Sequence, residues 1–171
     1  MSRAFDFNDQ LKLGKEGELK FAELYPCFNY NNDKDVMAPD FVHKVTGSIA
    51  EVKYDDSSRA KKDKHGNQIN FFVEIFSNVD AMTLGGPFRA VEEGVDYYVY
   101  MFKQPFRIFI YDAVKFRDVA SDLIYGEQKY KECYIKNKGW WTSGYPLPIF
   151  KFDSCRIEGD IIGKGIKLNI K

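Results

Sequence analysis

Residues 38–55, with the sequence APDFVHKVTGSIAEVKYD, decide how the rest of the chain is interpreted. Two runs within this stretch, 40–43 and 48–54, are rich in residues that favour β-strands. Between them lie residues 45–47 (VTG), which have the composition of a tight turn. The stretch therefore predicts a β-hairpin.

Alternation of side chains along the second strand places Glu51 and Lys53 together on one face, opposite the apolar residues of that strand. Asp40 begins the neighbouring strand, so antiparallel pairing would bring it close to Glu51. Two carboxylates at a strand edge suit a hard divalent cation such as Mg²⁺, which takes oxygen ligands and keeps several waters. The nearby lysine would position or deprotonate an attacking water, or offset charge in the transition state.

Residues 6–25 have the spacing of an amphipathic helix that ends before Pro26. Glu18 lies on the stripe that should pack inward, where a carboxylate is costly unless it is paired or bound to a metal. Gly14, one turn earlier, would allow close approach of backbone or substrate. Glu16 and Glu23 fall on the solvent side of this helix.

Further elements follow from the same patterns. They are strands at 69–76, 97–102 and 107–111, helices at 88–93 and 114–125, and short strands at 148–152 and 166–170 in an otherwise irregular C-terminal part. The order predicts an α/β or α+β fold with a mixed central β-sheet flanked by helices. No linker or repeat interrupts the chain, so we expect one domain over residues 1–171.

Pro39-Asp40, followed after eleven residues by Glu51-Val52-Lys53, resembles the signature of the PD-(D/E)XK nuclease superfamily. Residues 14–18 (GKEGE) are similar to the first-helix glutamate motif of its Holliday-junction-resolvase-like branch. The predicted succession of helix, hairpin, strand, helix and strand is similar to the core of that family. The resemblance covers about residues 10–103, and residues 104–171 would be a family-specific addition. Residues 72–75, 85–86 and 96–100 also look like small phage-encoded members.

The resemblance implies a restriction-endonuclease-like core and a Mg²⁺-dependent deoxyribonuclease, with Mn²⁺ as a substitute. Asp40 and Glu51 would bind the metal, Lys53 would assist the water, and Glu18 would complete the metal site directly or through a water. Glu74 either joins this site from the third strand or pairs with a lysine. The expected activity is that of an endonuclease that is structure-selective or nicking. Whether the enzyme forms a homodimer is left open. The alternative is a non-catalytic nucleic-acid-binding module on the same fold.

DNA as a partner requires positive charge gathered on one face, because Lys+Arg and Asp+Glu number 25 each. Residues 58–64 (SRAKKDK) and 129–138 (KYKECYIKNK) are the two stretches that could supply it, and both are equally well explained as solvated faces. The DNA-binding candidates in them are Arg59, Lys61, Lys62, Lys64, Lys136 and Lys138.

The composition excludes several classes of protein. Of 171 residues, 44% are hydrophobic and 16% aromatic, which a disordered chain would not contain. No apolar run approaches the ~20 residues of a membrane span, and the N-terminus has no secretory signal. The three cysteines, Cys27, Cys133 and Cys155, lack CxxC spacing, which favours a reducing cytoplasm over a disulfide framework or zinc site. We expect no membrane partner and a cytoplasmic location, which the resemblance narrows to a bacterial or phage-infected cell.

His43 and His65 have no second ligand at metal-binding spacing, so we interpret both as structural or exposed. Trp140 and Trp141 lie beside lysines and would either stack on bases or pack in the fold, of which packing is favoured.

Overall fold

The computed structural model describes residues 7–31, 40–56, 62–126, 130–137 and 139–158. The helices in this part of the chain are α1 (Phe7–Leu24), α2 (Gly86–Glu92), α3 (Ala113–Tyr125) and a 3-10 helix (Ile149–Cys155). The strands are β1 (Phe28–Tyr30), β2 (Phe41–His43), β3 (Ile49–Asp55), β4 (Asn70–Asn78), β5 (Thr83–Leu84), β6 (Tyr97–Phe102), β7 (Arg107–Asp112), β8 (Cys133–Lys136), β9 (Trp141–Pro148) and β10 (Arg156–Glu158).

The strands form two sheets, where the sequence patterns predicted one central sheet. The first sheet has the order β1-β2-β3-β6-β7-β10 and is mixed, because β3 and β6 run parallel while the other neighbours are antiparallel. The second sheet, β5-β4-β9-β8, is antiparallel. The fold is therefore α+β, with a mixed sheet as expected and a second sheet that was not.

The first sheet has an apolar core on each face. Helix α1 covers one face, where Phe21 and Tyr25 pack against Tyr54 of β3. On the other face Phe71 of the second sheet lies at the centre of an aromatic cluster. Its ring neighbours are Tyr100, Phe102, Phe109, Tyr111, Phe116 and Phe152. This second core joins the two sheets, because Phe71 belongs to β4 and most of its partners to the first sheet or α3.

The hairpin, the first helix, β6, β7 and α3 confirm the sequence-based predictions, with ends shifted by at most two residues. Strand β4 also exists where a third strand was predicted, but it belongs to the second sheet. The short helix α2 begins at Gly86, two residues before its predicted start, with Pro87 in the first turn, where a missing N–H is tolerated.

The prediction for the C-terminal part was wrong. Residues 133–136 and 141–148, expected to be irregular, form β8 and β9, and the predicted strand at 148–152 lies mostly in the 3-10 helix. Strand β9 contains Pro146 and Pro148, which normally argue against a strand. They are tolerated because β8 pairs only with residues 141–144, so β9 beyond Gly144 has β4 as its single neighbour. The predicted strand at 166–170 lies outside the described residues.

All three cysteines lie in the described part of the chain and are free, and Cys155 is buried. Among the described residues no helix is long and apolar enough to cross a membrane.

Candidate functional site

The carboxylates of Asp40 and Glu51 are neighbours because of the register of the hairpin. Phe41 pairs with Ala50, which places the preceding Asp40 opposite Glu51. The Asp40 Oδ2 accepts a hydrogen bond of 2.9 Å from the backbone N–H of Val52. Strand β2 begins one residue after Asp40 and therefore offers no backbone partner to β3 at this point. The Asp40 side chain takes its place.

Both carboxyl groups hold their protons more tightly than usual. Burial raises the pKa of Glu51 to about 8, and the Asp40 charge adds to this shift. Burial also raises the pKa of Asp40 to about 6, against the hydrogen bond from Val52, and Glu18 contributes to the increase. Two interacting carboxylates in a partly desolvated position cannot both ionise easily.

The cations near the pair do not neutralise it. Arg89 on α2 lowers the pKa of both carboxyl groups, but its Nε lies 2.7 Å from Glu93 Oε1. Glu93 raises the same two pKa values and so offsets part of the effect of Arg89. Lys53 also lowers the pKa of Glu51, as the smallest of the named contributions.

Lys53 lies on the same face of β3 as Glu51, and its Nζ is 4.0 Å from Glu74 Oε2. The Lys53 side chain is 40% exposed and the Glu74 side chain 16% exposed, so the lysine reaches solvent while its partner is largely covered. A Cβ at Gly85 would lie 2.1 Å from Glu74 Oε1. The absence of a side chain at Gly85 therefore leaves room for the Glu74 carboxylate beside Lys53.

The structure adds Tyr98 and Arg89 to the neighbourhood of the pair, and sequence analysis missed both. Tyr98 lies directly beside Glu51 in the parallel β3–β6 register, and only 3% of it is exposed. Burial raises the pKa of its hydroxyl well above the usual value, and the charges of Glu74, Glu51 and Asp40 add to the increase. The phenol therefore keeps its proton next to these carboxylates. The alternation of side chains along β6 could indicate the face of the strand on which Tyr98 lies. Its position beside Glu51 depends on the pairing of β6 with β3, which the crossover between the two strands brings about.

Glu18 lies at the edge of this group. Its Oε2 accepts a hydrogen bond of 2.5 Å from the Tyr30 hydroxyl, to which the Lys15 ammonium also donates. The Glu18 charge raises the pKa of Asp40, so the two carboxylates are electrostatically linked. Helix α1 packs on the face of the sheet opposite to Glu51.

Two expectations about α1 need correction. Gly14 has nothing within 4 Å of a hypothetical Cβ, whereas at Gly17 a Cβ would lie 2.3 Å from the Cβ of Tyr54. Gly17, rather than Gly14, therefore permits the close approach of α1 to the sheet. Glu16 is not simply solvated, since its Oε2 accepts from Lys103 Nζ at 2.6 Å.

The DNA-binding candidates among the described residues lie on two separate elements. Lys62 and Lys64 are exposed on the loop before β4, and Lys136 is exposed on β8 of the second sheet, with its Nζ 5.5 Å from the centre of the Trp141 ring. Trp141 is 40% exposed, while Trp140 is half-buried. Arg59, Lys61 and Lys138 lie outside the described residues, as does Pro39 of the motif.

The histidines behave as expected. His43 is buried, and its Nδ1 accepts from the backbone N–H of Thr46 at 3.1 Å, which stabilises the hairpin turn. His65 is exposed in a polar turn.

No three His, Cys, Asp or Glu side chains among the described residues are close enough together to form a metal-binding group. The donor set at Asp40 and Glu51 is therefore a pair of carboxylates, with Glu18 and Glu74 further out. A pair of hard oxygen ligands short of positive charge fits Mg²⁺, which commonly uses one or two carboxylates and completes its shell with water and phosphate oxygens.

No protein-family model, curated protein or solved structure matches this chain. Any functional assignment therefore rests on the geometry and electrostatics of the residues above.

Proposed function

We propose that this protein is a divalent-cation-dependent endonuclease that hydrolyses phosphodiester bonds in DNA, with Asp40 and Glu51 as the carboxylate ligands of Mg²⁺. The supporting observation is the pair of neighbouring carboxyl groups whose pKa values are raised to about 6 and about 8. A bound divalent cation would remove the repulsion between them, so the site has a physical requirement for positive charge.

The chemistry follows from what surrounds the pair. Bound Mg²⁺ would polarise the phosphate and lower the pKa of a water. Lys53, on the same strand face, would place its ammonium against the attacking water or the phosphate oxygens. Glu74, 4.0 Å from that ammonium, would orient the lysine, and the Tyr98 hydroxyl would hold a carboxylate oxygen by donating to it. Glu18 would act through Asp40 rather than at the phosphate, because its oxygen is engaged by Tyr30.

The resemblance to the PD-(D/E)XK superfamily supports the same proposal. Asp40 and Glu51-Val52-Lys53 occupy a hairpin, and the order of helix α1, hairpin, strand β4, helix α2 and strand β6 is the order expected of that core. We propose a restriction-endonuclease-like core on this basis. Strand β4 comes at the expected place in this order, but it pairs in the second sheet rather than in the first.

The test is a cleavage assay on supercoiled, linear duplex, single-stranded and four-way-junction DNA, with Mg²⁺ or Mn²⁺ and with EDTA as the metal-free control. Wild type is compared with Glu51→Gln, Lys53→Met and the control Glu23→Gln, which changes an exposed glutamate on α1. We expect cation-dependent cleavage that falls by about a hundredfold to a thousandfold in the first two variants. The preferred substrate would show whether the enzyme is structure-selective or nicking.

A folded wild type that cuts none of these substrates would contradict the proposal. If that protein bound DNA with strong salt dependence, and Asp40→Asn bound equally well, the alternative of a non-catalytic binding module would replace it.

A further inference from the structure

Tyr30 on β1 joins helix α1 to the neighbourhood of Asp40 through two hydrogen bonds. Its hydroxyl donates to Glu18 Oε2 at 2.5 Å and accepts from the Lys15 ammonium. The direction of both bonds is fixed, because an ammonium group can only donate and a carboxylate can only accept. The single hydroxyl hydrogen of Tyr30 is therefore directed at Glu18.

The ring of Tyr30 is itself held in place. It stacks on the ring of Phe41, with the ring centres 5.1 Å apart and the planes at 28°, and Phe41 is fully buried. The Lys15 ammonium lies 4.6 Å from the centre of the Tyr30 ring, which adds a cation–π contact. Because Tyr30 also pairs with Phe41 in the β1–β2 register, its hydroxyl has a fixed position relative to Asp40, the residue before Phe41.

The backbone next to Tyr30 holds Asp40 as well. The N–H of Asn31 donates to the backbone oxygen of Asp40 at 2.9 Å. The Asp40 carboxylate is fixed from the other side by the N–H of Val52. Residues 30 and 31 therefore determine where the carboxylates of Glu18 and Asp40 lie relative to each other, although the two residues belong to different parts of the chain.

Glu18 needs such a bond to stay near Asp40. Its side chain is half-buried on α1, and a long side chain of this kind gives up rotational freedom when it is fixed in one conformation. The hydrogen bond from Tyr30 offsets that cost. The position matters electrostatically, because the charge of Glu18 raises the pKa of Asp40. A negative charge that is felt at Asp40 would also attract a cation bound there.

We propose that Tyr30 is a positioning residue of the cation site, which keeps the Glu18 carboxylate beside Asp40 so that the charge of Glu18 adds to the affinity for a divalent cation. This inference rests on the proposed function, since it requires that Asp40 and Glu51 bind the cation. Tyr30 itself contacts neither cation nor substrate in this role and acts only through Glu18.

The test is a titration with Mn²⁺, followed by the electron paramagnetic resonance signal of the unbound ion, in wild type, Tyr30→Phe, Glu18→Gln and the double variant. Tyr30→Phe keeps the ring that stacks on Phe41 and removes only the hydroxyl. Each single variant should bind Mn²⁺ about tenfold more weakly than wild type. The double variant should bind no more weakly than Glu18→Gln alone, because the two residues act as one unit.

Tyr134→Phe is the matched control. The Tyr134 hydroxyl on β8 also donates to a glutamate, Glu132 Oε2, at 3.0 Å, but it belongs to the second sheet. This variant should bind Mn²⁺ as wild type does. Urea unfolding in EDTA should show that Tyr30→Phe and Tyr134→Phe are both folded, so that a difference in affinity between them reports on the cation site.

Unchanged Mn²⁺ affinity in Tyr30→Phe, together with loss of binding in Glu51→Gln, would overturn this inference and leave the proposed cation site intact. A double variant that binds about a hundredfold more weakly than wild type would also overturn it, because Tyr30 would then act independently of Glu18. If wild type bound no Mn²⁺, or if Glu51→Gln bound it equally well, the proposed site itself would be contradicted and this inference with it.

Discussion

Acidic side chains lie against the first sheet at two places, Glu16 at one and the pair of Asp40 and Glu51 at the other. The two places differ in how the negative charge is balanced. Glu16 accepts from Lys103 at 2.6 Å and from the Tyr54 hydroxyl at 3.4 Å, and the Lys103 hydrogen bond holds its pKa below the usual value. Asp40 and Glu51 instead face each other, and both of their pKa values are raised. The first group has a lysine in direct contact, whereas in the second group burial outweighs the effect of the nearby cations Arg89 and Lys53.

The difference separates a structural ion pair from a candidate binding site. The Glu16–Lys103 ion pair links α1 to the residue after β6, and its two opposite charges balance each other within the chain. In the proposed site, the Asp40–Glu51 pair would reach a comparable state when a cation joins it. Residues that violate the usual rules of charge balance are commonly found at functional sites, because the missing partner is the ligand.

We expect the largest change in the free energy of unfolding measured in the absence of metal ions. Because the pKa of Glu51 is raised from 4.5 to about 8, the free energy of unfolding should fall as the pH rises between these values. At about pH 8 in EDTA, Glu51→Gln should therefore raise the free energy of unfolding by about 3 kcal/mol in urea titrations. Glu16→Gln should lower it by less than about 1 kcal/mol. A loss of stability in Glu51→Gln would contradict the proposed charge imbalance.

Divalent cations should remove much of that imbalance. Mg²⁺ at a hundred times its dissociation constant should raise the free energy of unfolding of wild type by about 2.7 kcal/mol. Its affinity should increase between about pH 6 and pH 8, as Asp40 and Glu51 lose their protons. Calorimetry across this pH range measures both the increase in the free energy of unfolding and the affinity for Mg²⁺. Glu16→Gln should respond as wild type does, and an equal response in Glu51→Gln would place the cation elsewhere.

The lysine beside the pair can be perturbed through a glycine. In Gly85→Ala the new Cβ would displace the Glu74 carboxylate from Lys53, at a cost in unfolding free energy of about 1 kcal/mol. Gly14→Ala is the matched control, because its Cβ would meet open space on a helix and should raise stability by up to about 1 kcal/mol. Urea unfolding compares the two, and an unchanged cleavage rate in Gly85→Ala would mean that Glu74 does not position the lysine.

The smallest effect concerns the balanced group. A double-mutant cycle of Glu16→Gln and Lys103→Gln should give a coupling of about 0.5 kcal/mol, because both side chains are more than a third exposed. The coupling should disappear in about 1 M salt. A coupling that survives salt would show that this pair is as desolvated as Asp40 and Glu51, and the contrast between the two groups would be lost.

The Asp40–Glu51 pair was predictable because a hairpin is a local structure. The register of 40–43 against 48–54 follows from a short turn, so the chain itself shows which side chains face each other. Strands β6 and β7 and helix α3 were predictable for a similar reason, since their apolar patterns are continuous and are bounded by Gly, Pro or a capping Asp112.

The second sheet was not predictable in this way. Pro146 and Pro148 argue locally against a strand, and only the pairing with β4 some 70 residues earlier explains why they are tolerated. Separation in sequence likewise hid Gly17, whose lack of a side chain matters only because Tyr54 packs against it. Arg89 and Tyr98 were missed as members of the site because α2 and β6 reach it through a crossover.

The most direct test of the account is the titration of the Glu51 side-chain carboxyl carbon by NMR, in EDTA and again with saturating Mg²⁺. We predict a midpoint near pH 8 without metal and a decrease of about two pH units or more when Mg²⁺ binds. A midpoint close to the ordinary value of 4.5, unchanged by Mg²⁺, would show that the carboxylate pair needs no cation and would contradict the proposed site.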